Sequence, residues 1–232
     1  MCGEERRGSQ ATVRFRRRLA NLKRNGSNIL LVGSEALDAA CERLLGESSA
    51  GPRYRLFVTT DARPGAADAK LASVESGLHG DEALVVDWQA DVRGSRAADG
   101  LDDDGPPFRR VSVESDDLRE LGETVEESIA EFDPGPNGFS PAELRLCFDS
   151  ITPLVADHDE RDVRRFLLGL TETVERFDGM AHYHLPVEYD SETVRSVEPL
   201  FDAVVEVQYG DGDVEQRWHL TDPGFTTDWL PL

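Results

Sequence analysis

The sequence predicts an α/β fold of three layers: a mostly parallel sheet between helices, closed by a C-terminal antiparallel β-hairpin. Three observations carry this. Short apolar runs recur along the 232 residues and read as strands buried on both faces. Stretches with apolar residues at helical spacing separate them. Near the C-terminus, two alternating segments flank Gly210-Asp211-Gly212-Asp213, a hairpin signature.

The first strand is Asn28 to Val32, ending at Gly33, and Ser34 opens a helix with Leu37, Cys41, Leu44 and Leu45 on one stripe. Tyr54 to Thr60 is the second strand, with Asp61, Pro64 and Gly65 turning the chain; a helix over 66–77 leads to the third, Ala83 to Asp87. Residues 89–110 read as a long acidic, Gly- and Pro-rich loop. Ser115 or Asp116 caps a helix to about Phe132, with acids in its first turn complementing the helix dipole. Leu144 to Phe148 is the fourth strand and ends on Asp149-Ser150. The longest helix, Asp159 to Arg176, carries Val163, Phe166, Leu167, Leu170 and Val174 on one stripe. Met180 to Leu185 is the fifth strand, Ser191 to Leu200 a helix, and Ala203 to Tyr209 with Val214 to Leu220 form the hairpin. Trp218, Trp229 and the last residues, 228–232, are expected to pack back on the domain; an exposed docking peptide is the alternative.

Composition speaks of habitat. There are 46 Asp and Glu against 25 Lys and Arg, a formal net charge of -21, and Lys23 and Lys70 are the only lysines. A dense carboxylate surface with Arg in place of Lys suits molar salt, where the Debye length is about 3 Å and self-repulsion is screened. The expectation is a halophile's acidic protein. The excess acid runs along almost the whole chain, which argues against a local mimic of nucleic acid or a patch for a basic partner. No apolar stretch approaches the ~18 residues of a membrane-spanning helix, and no apolar segment of a secretory signal follows the charged N-terminus. A soluble, cytoplasmic protein is expected.

Residues 1–24 break the pattern, forming a basic N-terminal arm of net +6 ahead of a domain spanning 25–232. Phe15, Leu19 and Leu22 give residues 11–24 the spacing of a short amphipathic helix. Docking on the acidic body is the expectation. Contact with nucleic acid through Arg14, Arg16, Arg17 and Arg18 is the alternative, weakened in high salt because counterion release loses its driving force. A protein partner is the third reading.

Cys2, Cys41 and Cys147 are odd in number and show no C-x-x-C spacing, so neither a disulfide framework nor a zinc knuckle is indicated. Cys41 and Cys147 lie in apolar runs and read as small core residues. His182 and His184, two apart on a strand, face one way and could share a metal with Asp149 on a neighbouring strand end. Two histidines alone are more often structural. Asp149-Ser150 with His184 suggests a hydrolytic set, but there is no G-x-S-x-G elbow. In an open parallel sheet ligands bind at the carboxyl ends of the strands. There the sequence places Gly33-Ser34-Glu35, Thr59-Thr60-Asp61, Asp87, Asp149-Ser150 and His184.

Taken together, strand one, the Leu-Phe-Val-Thr-Thr-Asp strand and the Leu-Arg-Leu-Cys-Phe-Asp-Ser strand resemble the RecA/KaiC-like ATPase superfamily. So does the order that follows: a long helix with Arg165-Phe166-Leu167, a Gly-Met strand, a helix, Leu200 to Glu206, and a hairpin. The likeness is greatest to haloarchaeal KaiC-like, transducer-like proteins with degenerate nucleotide sites. It implies a RecA-like P-loop NTPase fold, with Asp149 matching the Mg²⁺-associated Asp and Asp61 standing where one of a catalytic Glu pair would be. A live site needs a Gly-rich loop with Gly-Lys-Ser/Thr to wrap and neutralise phosphates. Residues 33–40 instead read Gly-Ser-Glu-Ala-Leu-Asp-Ala-Ala, without lysine and with two acids. The resemblance therefore implies a vestigial ATP/Mg site at Gly33, Ser34, Asp149 and Ser150, and a non-catalytic protein acting on an unidentified protein partner in regulation or signalling. The alternative is an atypical nucleotide-binding protein or ATPase that draws its cation from the arm or a neighbouring subunit.

Overall fold

The structure, a computed structural model, describes residues 15–33, 36–45, 53–60, 83–89, 109–210, 212–221 and 224–232. The expected helix over 66–77, Ser34, Asp61, Arg14, Cys2 and most of the 89–110 segment lie outside the described residues. Helix α1 covers residues 15–25. It is followed by β1 (Ser27–Val32), α2 (Leu37–Leu45), β2 (Tyr54–Thr59), β3 (Ala83–Trp88), β4 (Arg109–Val113), α3 (Leu118–Ala130) and β5 (Leu144–Phe148). Then come α4 (Thr152–Asp157), α5 (Glu160–Arg176), β6 (Met180–Leu185), α6 (Glu192–Val197), β7 (Ala203–Tyr209), β8 (Val214–Leu220), β9 (Phe225–Thr226) and β10 (Leu230–Pro231).

All ten described strands join one sheet in the order β10-β8-β7-β1-β6-β5-β2-β3-β4, with β9 on β8. From β7 to β4 every pairing is parallel, and β8, β9 and β10 add antiparallel pairs. The expected α/β architecture with its C-terminal hairpin is present. Strands β1, β5 and β6 are buried along their whole length, which is why apolar residues dominate them.

The direction of each crossover decides its layer. Connections that return along the sheet, β4 to β5, β5 to β6 and β6 to β7, carry α3, α4, α5 and α6. Leu121, Val125, Leu167, Leu170 and Val194 of these helices pack on the face of Leu30, Leu146, Phe148 and Tyr183. The connection that advances, β1 to β2, carries α2 on the opposite face, where α1 also lies. The sheet between holds a fully buried polar knot: Asn28 accepts a hydrogen bond from the Tyr183 hydroxyl at 3.0 Å and donates to the Thr171 carbonyl at 3.2 Å.

Three local readings are corrected. Arg109 and Arg110 belong not to a loop but to β4, an edge strand in which only Val113 is fully buried. A short helix, α4, follows β5, started by Pro153 in its first turn. The helix capped by the Ser191 hydroxyl stops at Val197, and a turn of 3₁₀ helix containing Pro199 completes the expected span.

Helix α1 docks on the body. Leu22 is buried, Phe15 meets Trp218 edge-on at 5.7 Å, and Arg18 reaches Asp202 at 3.9 Å. The last residues also return to the sheet, with β10 pairing β8 and the Arg217 guanidinium 4.4 Å over the Trp229 ring. No described helix is long and apolar enough to cross a membrane.

On the hairpin, His219 stacks on Tyr189 at 3.7 Å and sits 3.3 Å from Glu206. Burial pulls the imidazole below its ordinary value, outweighing the Glu206 hydrogen bond and charge that favour protonation; Arg217 adds to the lowering and Glu198 opposes it. The folded chain thus takes up this proton less readily than the unfolded one. The associated stability is complete above the unfolded value of about 6.5 and is lost as pH falls below it. Between about pH 7.5 and about pH 5.5 the melting temperature of the native chain should fall further than that of His219→Gln. Equal falls in a thermal-melt series would remove His219 from the acid response.

Candidate functional site

The parallel strands present their carboxyl ends along one edge, and three strand ends there carry polar side chains. Gly33 follows β1 with φ +126° and donates its N–H to the Val187 carbonyl at 2.9 Å. Four residues connect Val32 to the first residue of α2, Leu37. Asp149, just past β5, accepts the Thr60 backbone N–H at 2.9 Å on Oδ1, and the Thr60 hydroxyl lies 3.3 Å from the same oxygen. That hydroxyl makes its shorter contact with the Ser150 carbonyl. Having one proton to give, it favours the carbonyl.

Two strands away, Asp87 is held at both oxygens. Thr59 Oγ1 donates to Oδ1 at 2.5 Å and Arg110 Nη1 to Oδ2 at 2.9 Å. The carboxylates at this edge thus brace strand ends: Asp149 joins β5 to the end of β2, and Asp87 joins β3 to β2 and β4. Of the residues expected in a nucleotide site, Gly33, Asp149 and Ser150 stand at this edge. Ser34 and Asp61 lie outside the described residues. Arg18 of the basic arm, from which a cation could come, is engaged with Asp202, whose backbone N–H bonds Asn28 near the opposite end of β1.

The two strand histidines have other company than expected. His182 and His184 lie on one face of β6, ring centroids 5.4 Å apart. They face α2, and the thiols of Cys41 and Cys147 complete a group of four with them; Asp149 is not in it. The sulfurs are 3.3 Å apart, His182 Nε2 is 3.3 Å from Cys41 Sγ, and His184 Nε2 is 3.9 Å from Cys147 Sγ. The cysteines are buried, as their apolar runs imply, but their neighbours are not hydrocarbon alone. The i, i+2 histidines were a readable signal. The cysteines were not, being 106 residues apart with no metal-binding spacing.

The fold is of KaiC-like type. It is similar to the KaiC-like protein PH0186 from the hyperthermophilic archaeon Pyrococcus horikoshii OT3, with a TM-score of 0.52 and 14% identity, over 85% of this chain and 79% of that one. The chain belongs to the family of unknown function DUF7504, which matches residues 26–207. No curated protein matches it in sequence.

Proposed function

We propose that this chain is a KaiC-like domain that has given up nucleotide hydrolysis and works through protein contacts, in regulation or signalling, in the cytoplasm of a halophilic archaeon. The observation that carries the proposal is the β1–α2 connection. Residues 33–40, where a phosphate-cradling Gly-x-x-x-x-Gly-Lys-Ser/Thr stretch would run, hold a single glycine, and helix α2 already begins at Leu37. Its sequence supplies no lysine, and it carries two acids, Glu35 and Asp38, in a motif that has to attract phosphate. Asp149 and Asp87, the acids best placed to hold a Mg²⁺ water shell, have bracing partners instead. The net charge of -21, with Arg in place of Lys, supports the halophilic setting.

The test is calorimetric titration of Mg-ATP and Mg-ADP in about 2–3 M KCl, where self-repulsion is screened, with Asp149→Ala alongside. A folded sample giving no saturable heat and no phosphate release is the expected result. Saturable binding that Asp149→Ala abolishes would overturn it. That outcome would favour an atypical nucleotide site built on Asp149, Asp61 and the backbone of residues 33–36, with Arg14, Arg16 or a neighbouring subunit supplying the cation.

A further inference from the structure

We propose that Cys41, Cys147, His182 and His184 form a structural zinc site inside the domain, clamping α2 to β5 and β6. The argument begins with ligand chemistry. Two sulfurs and two imidazole nitrogens, with no carboxylate or carbonyl among them, form a soft-to-borderline set that suits Zn²⁺ and is poor for Mg²⁺, Ca²⁺ or Mn²⁺.

Geometry comes next. Zinc bonds of about 2.3 Å to sulfur and about 2.0–2.1 Å to nitrogen, set tetrahedrally, place ligand atoms about 3.3–3.8 Å apart. Here three measured separations are 3.3, 3.3 and 3.9 Å, and all four ligand atoms lie within 4.8 Å of one another. A disulfide is a poorer description, because 3.3 Å is far beyond an S–S bond of about 2.05 Å.

Burial makes the case sharper. The cysteines are 0% exposed and the histidines 2%, and the cysteines share an apolar cluster with Leu45, Phe57, Ala83 and Val85. Charge uncompensated at such a place is costly. Two thiolates, two neutral imidazoles and one Zn²⁺ sum to zero, so the complete site buries no net charge. Four protein ligands also leave no open position, which makes the site structural and not catalytic. The fold supplies the convergence. Cys147 pairs with His182 across β5 and β6, His184 stands two residues on along the same face, and α2 lowers Cys41 onto them.

The experiment uses the full chain, free of any histidine tag, purified in molar KCl without chelator, with metal measured by plasma mass spectrometry. About one zinc per chain is expected. Cys147→Ser and His184→Gln should each weaken zinc retention more than about tenfold, whereas Cys2→Ser and His219→Gln should leave it unchanged. Because a ligand variant can fail to fold, the native chain is tested separately. A mercurial reagent should release zinc as two thiols react, and Co²⁺ in its place should give thiolate charge-transfer and tetrahedral d–d bands. A folded chain that holds neither zinc nor Co²⁺, a Cys41–Cys147 disulfide, zinc that survives mercuration, or undiminished zinc in folded Cys147→Ser would each overturn the assignment. A stoichiometric ion of another element would overturn the choice of zinc. None of these outcomes bears on nucleotide binding, which the calorimetry reads independently.

Discussion

Gly33→Ala is expected to destabilise the domain by about 3 kcal/mol or more, enough to lower its melting temperature by about 6–12 °C. Two effects add. The residue sits at φ +126°, a conformation L side chains rarely adopt, and a Cβ there would stand close to the Val207 carbonyl oxygen of the neighbouring strand. That oxygen is backbone in the middle of the sheet and cannot swing aside as a flexible side chain would. Gly135 provides the control, since it also has positive φ, +86°, but open space around the missing Cβ. Gly135→Ala should therefore show the conformational strain without the collision. Urea or thermal unfolding of both variants in molar KCl separates the two contributions. Similar losses would mean that the close approach of β1 and β7 is not what fixes glycine at position 33.

Phe148→Ala should cost about 3–5 kcal/mol, the range for removing a fully enclosed aromatic ring. Phe148 is completely buried, packed 6.0 Å edge-on from Phe166 of α5 and stacked 6.1 Å from Tyr183 of β6. Its loss opens a cavity between the sheet and its longest helix, one stride before Asp149. Phe148→Leu, which keeps much of the volume, should recover more than half of the loss. The measurement is equilibrium unfolding with the denaturant slope held as a check on the two-state assumption. A loss under about 1.5 kcal/mol for the alanine variant would mean that the helix layer relaxes onto the gap.

The central strands were legible because a parallel sheet covered on both faces favours apolar residues within its strands. Ile29 to Val32 and Leu144 to Phe148 were readable on that ground, apart from Arg145, whose guanidinium donates to the Leu44 and Ala142 carbonyls. Burial, with Arg53 and Arg55 nearby, pulls that group down to about 10. Edge strands escape the rule. In β4, Arg109-Arg110-Val111-Ser112-Val113, only Val113 is fully buried, and the charge that protects an edge reads as loop. Helix α4 was missed because six residues are too few to establish a period.

The sites divide similarly. Asp149 and Gly33 stand where strand ends are expected, but that Thr60 and Arg110 occupy the carboxylates at this edge depends on which strands are neighbours. The four-ligand group needed the same knowledge. Two histidines two residues apart declare a face; only the placement of β5 beside β6 and α2 across them brings in Cys41 and Cys147.

The seat of α1 has a consequence for how the chain reaches its native state. Phe15, Leu19 and Leu22 share one apolar cluster with Val205, Trp218, Leu220 and Phe225. Helix α1 therefore has much of its resting place built by strands about 190 residues further along the chain. Residues of β1 and α2 supply the near part of this seat, Ile29, Leu31 and Ala40 among them, but until β7 and β8 exist the rest of it is missing, and closing that contact spans about 200 residues. Such long-range closure slows folding. The hairpin serves as a latch: fastening it gives the sheet two more strands and its earliest helix a home in one event.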